Sequence, residues 1–414
     1  MKKSLLFNKT TIFFLILAVF TIIFLQAITP LWRNHLVVDV WIYFQRAEYF
    51  FRQHTLANLV NNEHLPGALF YFFIPSVIFF LDQTLDTYTW AFFLLGLIFL
   101  SGHLFLYKKM SGYIGVLIFL AILLFSGPIL LFRFELAVSL FVLLSIYFFR
   151  QKKLPWSSLF LGIATTIKVY PILVLPYYLI IFFKKKEYQK LVLTLIYFLL
   201  GVGLITGVYF LIGGSISELS SSFAFHARKP LGLESPITTP LLIFYQFRYH
   251  QLPRLIGAYG VWGIDIDFLP VDLNFFNLLP LAMVFLFYCF LYFSKSLTKK
   301  FKLQVVFLIF LIFLIFSKNM NPQYLFWAFS LLPILEISDK KKKETRLFLI
   351  VFIALVILLL TQDVYPLLYT SLIDNFSAGN QIFNSAAYFL FLRNILFLIL
   401  LIISGRIFLT KKIF

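Results

Sequence analysis

The sequence predicts an all-α polytopic membrane protein, and three observations predict this class. Hydrophobic residues make up 61% of the 414 residues, charged residues make up only 13%, and the mean hydropathy is +0.94. A water-soluble fold cannot hide so much apolar surface behind so few charges. The basic residues behind the net charge of +18 stand in short clusters between apolar runs. That pattern is typical of membrane topology rather than of a nucleic-acid-binding face.

Apolar runs divide the chain into candidate membrane spans, each of which needs about 20 residues. The clear runs are 11–29, 88–106, 112–131, 134–149, 190–213, 271–293, 302–317, 322–335, 346–361 and 387–409. Two further segments are ambiguous. Residues 66–81 are short and contain Pro66 and Pro75, and residues 157–183 form either one long helix or two short helices broken at 168–171.

The distribution of basic residues decides between these alternatives, because cytoplasmic loops carry the excess of Lys and Arg. Most of the 35 basic residues become cytoplasmic if 66–81 lies along the outer surface and 157–183 is a hairpin of two short helices. If 66–81 is instead a span and 157–183 one long helix, only the basic clusters between 108 and 153 fall on the external side. That variant of the topology therefore stays open. We therefore predict a cell-membrane protein with about 12 transmembrane helices and both termini in the cytoplasm.

The predicted topology places two long segments outside the cell. The chain 1–414 forms a single integral membrane domain, whose first external loop is 30–87 and whose second is 214–270. Interfacial helices are expected in the first loop. Only short basic loops face the cytoplasm, and no phosphate-cradling glycine motif occurs in them. The polar chemistry is therefore expected on the external face.

Charged residues near membrane depth are costly and are therefore functional candidates. Asp39 follows the first span between apolar residues, where partial desolvation would make it a better base, although a helix N-cap explains it about as well. Arg133 and Glu135 lie at an outer helix end, where a local ion pair is the simpler explanation. Lys168 lies where two short helices meet and needs a carboxylate or a phosphate as partner, unless it reaches up to the lipid headgroups.

Further polar residues lie in the later external segments. His226 and Arg228 have the chemistry to hold a phosphate, although a solvated basic loop accounts for them equally well. Lys318 begins another polar group at an outer span end. The remaining histidines show no metal-ligand spacing, so neither a catalytic metal nor a cofactor is expected. One carboxylate with several cations suits transfer from a lipid phosphate, because a base deprotonates the acceptor hydroxyl while cations stabilise the leaving group.

Six segments stand in order along the chain: Asp39 with Tyr43, Glu63 to Pro66, Arg133 to Glu135, Gly162 to Pro171, Arg228 to Ser235 and Lys318 to Trp327. In this order they resemble motifs of the C-type (GT-C) superfamily of polyprenyl-phosphate-sugar-dependent glycosyltransferases. The similarity is to the bacterial mannosyltransferase-like branch, glycosyltransferase family 87. Glu135 stands where that family usually has Asp, and no Asp-x-Asp follows in the first loop.

The resemblance implies a GT-C-like fold and an inverting membrane glycosyltransferase. Its donor would be a polyprenyl-phosphate hexose, mannose-like, and its acceptor a lipid-linked or cell-surface glycan on the external face. Asp39 would be the general base. The residues implied around the donor phosphate and in the substrate pocket are Lys168, His226, Arg228, Lys318, Arg133, Glu135, Tyr43, Glu234, Gln323 and Tyr324. A flippase or transporter for a lipid-linked saccharide, or a glycan polymerase or ligase, remains the alternative.

Overall fold

A computed structural model of the chain describes residues 9–57, 63–270, 272–294, 300–335, 343–378 and 382–409. Most of these residues are helical, which confirms the predicted helical membrane class. The described α-helices are α1 Lys9–Gln53, α2 Pro66–Phe73, α3 Leu85–Ser126, α4 Glu135–Arg150, α5 Leu154–Ile167, α6 Leu175–Lys184, α7 Tyr188–Leu211, α8 Ile216–Arg228, α9 Thr238–Tyr249, α10 Leu273–Phe293, α11 Leu303–Phe316, α12 Leu325–Phe329, α13 Lys343–Gln362, α14 Tyr369–Ser377 and α15 Ser385–Leu409.

Six helices in the described ranges are long and apolar enough to cross a membrane, which makes the chain a multi-pass membrane protein. They are Ile12–Arg33, Leu85–Ser126, Tyr188–Leu211, Leu273–Phe293, Thr345–Leu367 and Ser385–Phe408. Shorter apolar helical segments are Pro66–Phe80, Leu154–Ile167, Tyr170–Lys184 and Leu303–Phe316. Large apolar side chains are exposed on the long helices, as on Phe20 and Ile98, and a lipid surface would cover them.

Helix α3 is two helices folded back on each other. The backbone of Gly112 leaves helical geometry with φ +70°, which glycine tolerates because it has no Cβ. Phe93 packs on Phe132 with ring centroids 5.6 Å apart, and His103 packs on Phe119 at 5.3 Å. The earlier residue of the first half meets the later residue of the second, so the two halves of α3 run antiparallel. The predicted separation of runs 88–106 and 112–131 is confirmed.

The segment 157–183 is the predicted hairpin of two short helices. Helix α5 ends at Ile167, and a 3-10 turn leads into α6. At the end of α4, Phe148 meets Trp156 at the start of α5, with ring centroids 6.4 Å apart. The adjacent Phe149 meets Phe182 near the end of α6 at 5.7 Å. Since both outer ends of the hairpin meet one end of α4, the tip between α5 and α6 points toward the other end.

The first predicted loop, 30–87, differs from expectation in two ways. Helix α1 continues without a break to Gln53, well beyond the predicted end of the span. Helix α2 does not lie along a surface, because most of its residues are buried. A Cβ on Gly67 would lie 2.8 Å from the Ile167 backbone nitrogen, so α2 and α5 are packed backbone to backbone. An apolar helix with a small residue on one face gains more by burial in the bundle than by lying at an interface.

The second predicted loop, 214–270, is a folded cap that includes the only sheet in the described ranges. Strands β1 Leu231–Gly232, β2 Leu255–Ala258 and β3 Val261–Ile264 are antiparallel in the order β1-β3-β2. The two-residue turn between β2 and β3 has positive φ at Tyr259 and Gly260. Such turns match the twist of paired strands. This short sheet is an addition to described ranges that are otherwise mostly helical, consistent with the predicted all-α class.

The basic loops that the structure describes around Lys109, Arg150 and Phe301 gather at one end of the bundle. Lys109 lies over the ring of Tyr147 at 5.0 Å, next to the end of α4. The ring of Phe149 packs on Phe301 at 5.0 Å, which brings the segment before α11 to the same place. The start of α4 lies at the opposite end, as does the tip of the α5–α6 hairpin.

Gly162 of α5 and Gly201 of α7 allow these two helices to pack closely. A Cβ on Gly201 of α7 would lie 2.4 Å from the Leu159 carbonyl oxygen, whereas one on Gly203 would meet nothing within 4 Å. We expect Gly201→Ala to lower the thermal unfolding midpoint, because overpacking costs about 1–3 kcal/mol. Gly203→Ala on the same helix is the matched control and should match or exceed the wild type, since alanine favours helices by about 1 kcal/mol. Equal midpoints for the two variants would contradict this packing.

Candidate functional site

Arg133 connects the start of α4 to helix α1. It lies between the 3-10 turn Pro128–Phe132 and α4, and only 4% of its side chain is exposed. Its Nη1 group forms an ion pair with Asp39 of α1 and donates a hydrogen bond to the Tyr43 hydroxyl at 3.2 Å. Asp39 therefore does not cap a helix N-terminus; it lies within α1 and faces a buried cation. The pairing fixes the orientation of the carboxylate.

Two residues further on, Glu135 connects α4 to the tip of the α5–α6 hairpin. Its side chain is 1% exposed, and its Oε1 accepts a hydrogen bond from Lys168 Nζ at 2.5 Å. Of the partners expected for Lys168, the structure supplies the carboxylate. The lysine does not extend away to solvent, because only 18% of its side chain is exposed. Buried charges of this kind are tolerated only when paired.

Aromatic rings surround the Lys168 ammonium group. Its Nζ lies 4.4 Å from the Tyr324 ring centroid, 5.1 Å from that of Trp327 and 4.9 Å from that of Phe134. Tyr324 and Trp327 stack on each other at 4.4 Å. Cation–π contacts of this type stabilise a desolvated lysine. The arrangement joins the predicted Tyr324 to the same charged network.

A cavity of about 590 Å³ opens beside this network. Its volume lies in the range of small-molecule sites. Four residues singled out in the sequence line it: Asp39, Arg133, Glu234 and Gln323. With 35% of its side chain exposed, Asp39 is much more accessible than its partner Arg133, at 4%. The Asp39 carboxylate is thus both anchored and within reach of a ligand in the cavity.

Glu234 in the cavity wall is tied to the last helix by a buried arginine. Arg393 of α15 is fully buried, and its Nη1 lies 3.6 Å from Glu234 Oε2. The same guanidinium donates to the Glu234 carbonyl oxygen and, at 3.0 Å, to Asn394 Oδ1. Burial raises the pKa of Glu234 to about 7, and the positive charge of Arg393 opposes this rise. Arg393 was not among the predicted site residues, although a lone charge in the apolar run 387–409 is a usable signal.

A second group of cations lies near the tip of the α5–α6 hairpin, in the loops around Lys229 and Lys318. Lys318 Nζ donates to the carbonyl oxygens of Ala227 and Lys229 at 2.7 and 2.8 Å. Burial lowers the pKa of Lys318 to about 8, and the neighbouring charge of Lys229 adds to the shift. Burial also lowers the pKa of Lys229. His226 lies beside this group, where its Nε2 is 3.1 Å from the Glu63 carbonyl oxygen.

The structure brings most of the predicted site residues to one end of the bundle. One network joins the ion pairs to Tyr43 and Tyr324, while Glu234 and Gln323 line the adjacent cavity. Arg228 is the exception, because its side chain is exposed at the end of α8. The next residue, Lys229, is only 6% exposed and takes the inward position. Sequence alone does not decide which of two adjacent cations points inward where a helix ends.

No potential metal site is seen among the residues that the structure describes, since they contain no group of three or more His, Cys, Asp or Glu residues. Comparison of the chain with protein-family models, curated proteins and solved structures finds no match. The function is therefore inferred from the residues and their geometry.

The Glu135–Lys168 pair provides a test of the charged network. Glu135→Gln should lower the free energy of unfolding by about 3–5 kcal/mol, because it leaves a buried ammonium without its counter-charge. The double variant Glu135→Leu with Lys168→Met should recover much of that loss, since apolar residues of similar size replace both charges. Both are compared with wild type by thermal unfolding. A double variant less stable than Glu135→Gln would show that the pair is not the source of the effect.

Proposed function

We propose that the chain is an integral membrane glycosyltransferase. It would transfer a hexose, mannose-like, from a polyprenyl-phosphate donor to a lipid-linked or cell-surface glycan on the external face. The observation that carries this proposal is the position of Asp39. Its anchored, partly exposed carboxylate lies in the wall of a 590 Å³ cavity, with Arg133 beside it, at the end of the bundle opposite the basic loops.

Asp39 is the general base in this proposal. The acceptor hydroxyl gives its proton to the carboxylate as its oxygen attacks the anomeric carbon of the donor. The bond from that carbon to the phosphate oxygen breaks on the opposite side, so the configuration inverts. Arg133 orients the carboxylate, and its Nη1 group is itself held in place by the hydrogen bond that it donates to the Tyr43 hydroxyl.

The leaving phosphate would be stabilised by the cations near the hairpin tip. Lys168 is already neutralised by Glu135, and Arg228 is exposed, so Lys229 and Lys318 are the better candidates. Burial lowers the pKa of both lysines. The donor phosphodiester carries one negative charge and gains a second as its bond to the sugar breaks, and this charge would favour the protonated forms of the lysines. His226 lies at the margin of this group.

Twelve passes with a GT-C-like arrangement complete the proposal. The folded-back α3 and the α5–α6 hairpin contribute two passes each. Helices α1, α4, α7, α10, α11, α13 and α15 contribute one each, and the broken segment 322–335 contributes the twelfth. The gathering of the basic loops at one end supports a cytoplasmic location for that end. The cavity would then face outward, where a flipped lipid-linked sugar is available and nucleotide-sugars are not.

A transfer assay with matched carboxylate variants tests this function. Protein in proteoliposomes receives a radiolabelled polyprenyl-phosphate hexose and a crude lipid-glycan acceptor fraction. Asp39→Asn should slow transfer by about 10²-fold or more, because a positioned general base contributes at least that much. Asp86→Asn removes an exposed carboxylate at the start of α3, away from the cavity, and should keep the wild-type rate.

Thermal unfolding of both variants controls for misfolding. Wild-type rates in a folded Asp39→Asn variant would overturn the assignment of the base. Absence of transfer with any hexose donor, together with movement of the labelled lipid between leaflets, would make the protein a flippase.

A further inference from the structure

One wall of the cavity is formed by the β2–β3 hairpin, which carries an exposed tryptophan. Trp262 in β3 pairs with Gly257 in β2, and both line the cavity. The indole lies against the glycine, since a Cβ on Gly257 would be 2.9 Å from Trp262 Cζ3. Because the glycine has no side chain, the ring rests on the backbone of the neighbouring strand. It remains 39% exposed.

The strand that carries Trp262 is firmly held. The Trp262 carbonyl oxygen accepts a hydrogen bond from the Leu233 amide at 2.9 Å. The adjacent Gly263 pairs with Gly232, whose amide donates to the Lys318 carbonyl oxygen at 2.8 Å. A ring on a braced strand loses less conformational freedom on binding than one on a loose loop.

Polar groups converge on the cavity that the Trp262 ring lines. Carboxylates of Asp39 and Glu234 and the side-chain amide of Asn319 are in its walls. Asn319 Oδ1 is buried and has no hydrogen-bond partner among the described residues. A pyranose has an apolar C–H face, which packs on aromatic rings, and a rim of hydroxyls, which bind carboxylates and amides. The cavity presents both kinds of surface.

We propose that Trp262, seated on Gly257, is the stacking platform for a pyranose ring of the acceptor saccharide. The reacting hydroxyl of that ring is directed toward Asp39, and the Asn319 side chain forms part of the adjoining wall. This subsite rests on the proposed glycosyl transfer. It deepens that proposal by assigning the acceptor to the side of the cavity formed by the β2–β3 hairpin. The lipid phosphate of the donor is left to the cations near the hairpin tip of α5 and α6.

Saccharide binding can be measured without turnover. The full chain in nanodiscs, without donor, is titrated with the methyl glycosides of mannose, glucose and galactose and followed by saturation-transfer difference NMR. At least one probe should show signals on its ring C–H protons. Trp262→Ala should weaken its binding at least about fivefold, and Trp262→Phe should retain part of it, because a smaller ring still stacks.

Two further variants separate the platform from general effects. Gly257→Ala should also weaken binding, because the added methyl group displaces the indole ring. Trp90→Ala, which removes an exposed tryptophan from the apolar helix α3, should bind as wild type does. No signal with any of the three probes, or equal signals in wild type and Trp262→Ala, would overturn the subsite.

These outcomes are distinct from those of the transfer assay. Transfer that depends on Asp39 with no effect of Trp262 would leave the enzyme and remove the platform. Saccharide binding that depends on Trp262, in a protein whose transfer is unaffected by Asp39→Asn, would retain the platform and remove the proposed base.

Discussion

Two ion pairs formed by one short segment organise the end of the bundle where the cavity lies. Arg133 holds Asp39 on α1, and two residues later Glu135 holds Lys168 at the tip of the α5–α6 hairpin. The charges of Arg133, Glu135 and Lys168 are too costly to bury alone, so each pair specifies the position of its partner helix. Three elements that are distant in sequence are thereby brought into register. The side chain of Phe134, between the two charged residues, packs on Tyr43 and Lys168 and closes the gap.

The cap over the cavity depends on a second set of polar contacts. Lys318 binds the backbone at the end of α8, and Arg393 binds both the side chain and the backbone of Glu234. These contacts attach the 214–270 segment to the membrane helices at two places. The small sheet is therefore fixed relative to Asp39. A ligand between them would meet walls that are already in place, which lowers the entropic cost of binding.

The sequence predicted those features that leave a local signal. The break at Lys168 follows from a charge and a proline in an apolar run, and the hairpin turn near Gly112 follows from the lysines that interrupt two runs. The burial of α2 was not predictable, because a helix that is apolar on every face does not indicate which neighbour it packs on. Strands of two to four residues are also too short to show alternation. The inward position of Lys229 instead of Arg228 depends on where α8 ends.

The bundle has a polarity, with basic loops at one end and the cavity at the other, and the choice of a lipid-linked donor depends on which end faces outward. Cysteine labelling measures this directly. In a Cys289→Ser background, Tyr259→Cys places a thiol at the exposed tip of the β2–β3 hairpin, and Lys152→Cys places one at the basic end. We expect a membrane-impermeant maleimide to label Tyr259→Cys in intact cells and Lys152→Cys only after permeabilisation. The reverse result would place the cavity in the cytoplasm, where nucleotide-sugars are available, and would contradict a flipped polyprenyl-phosphate donor.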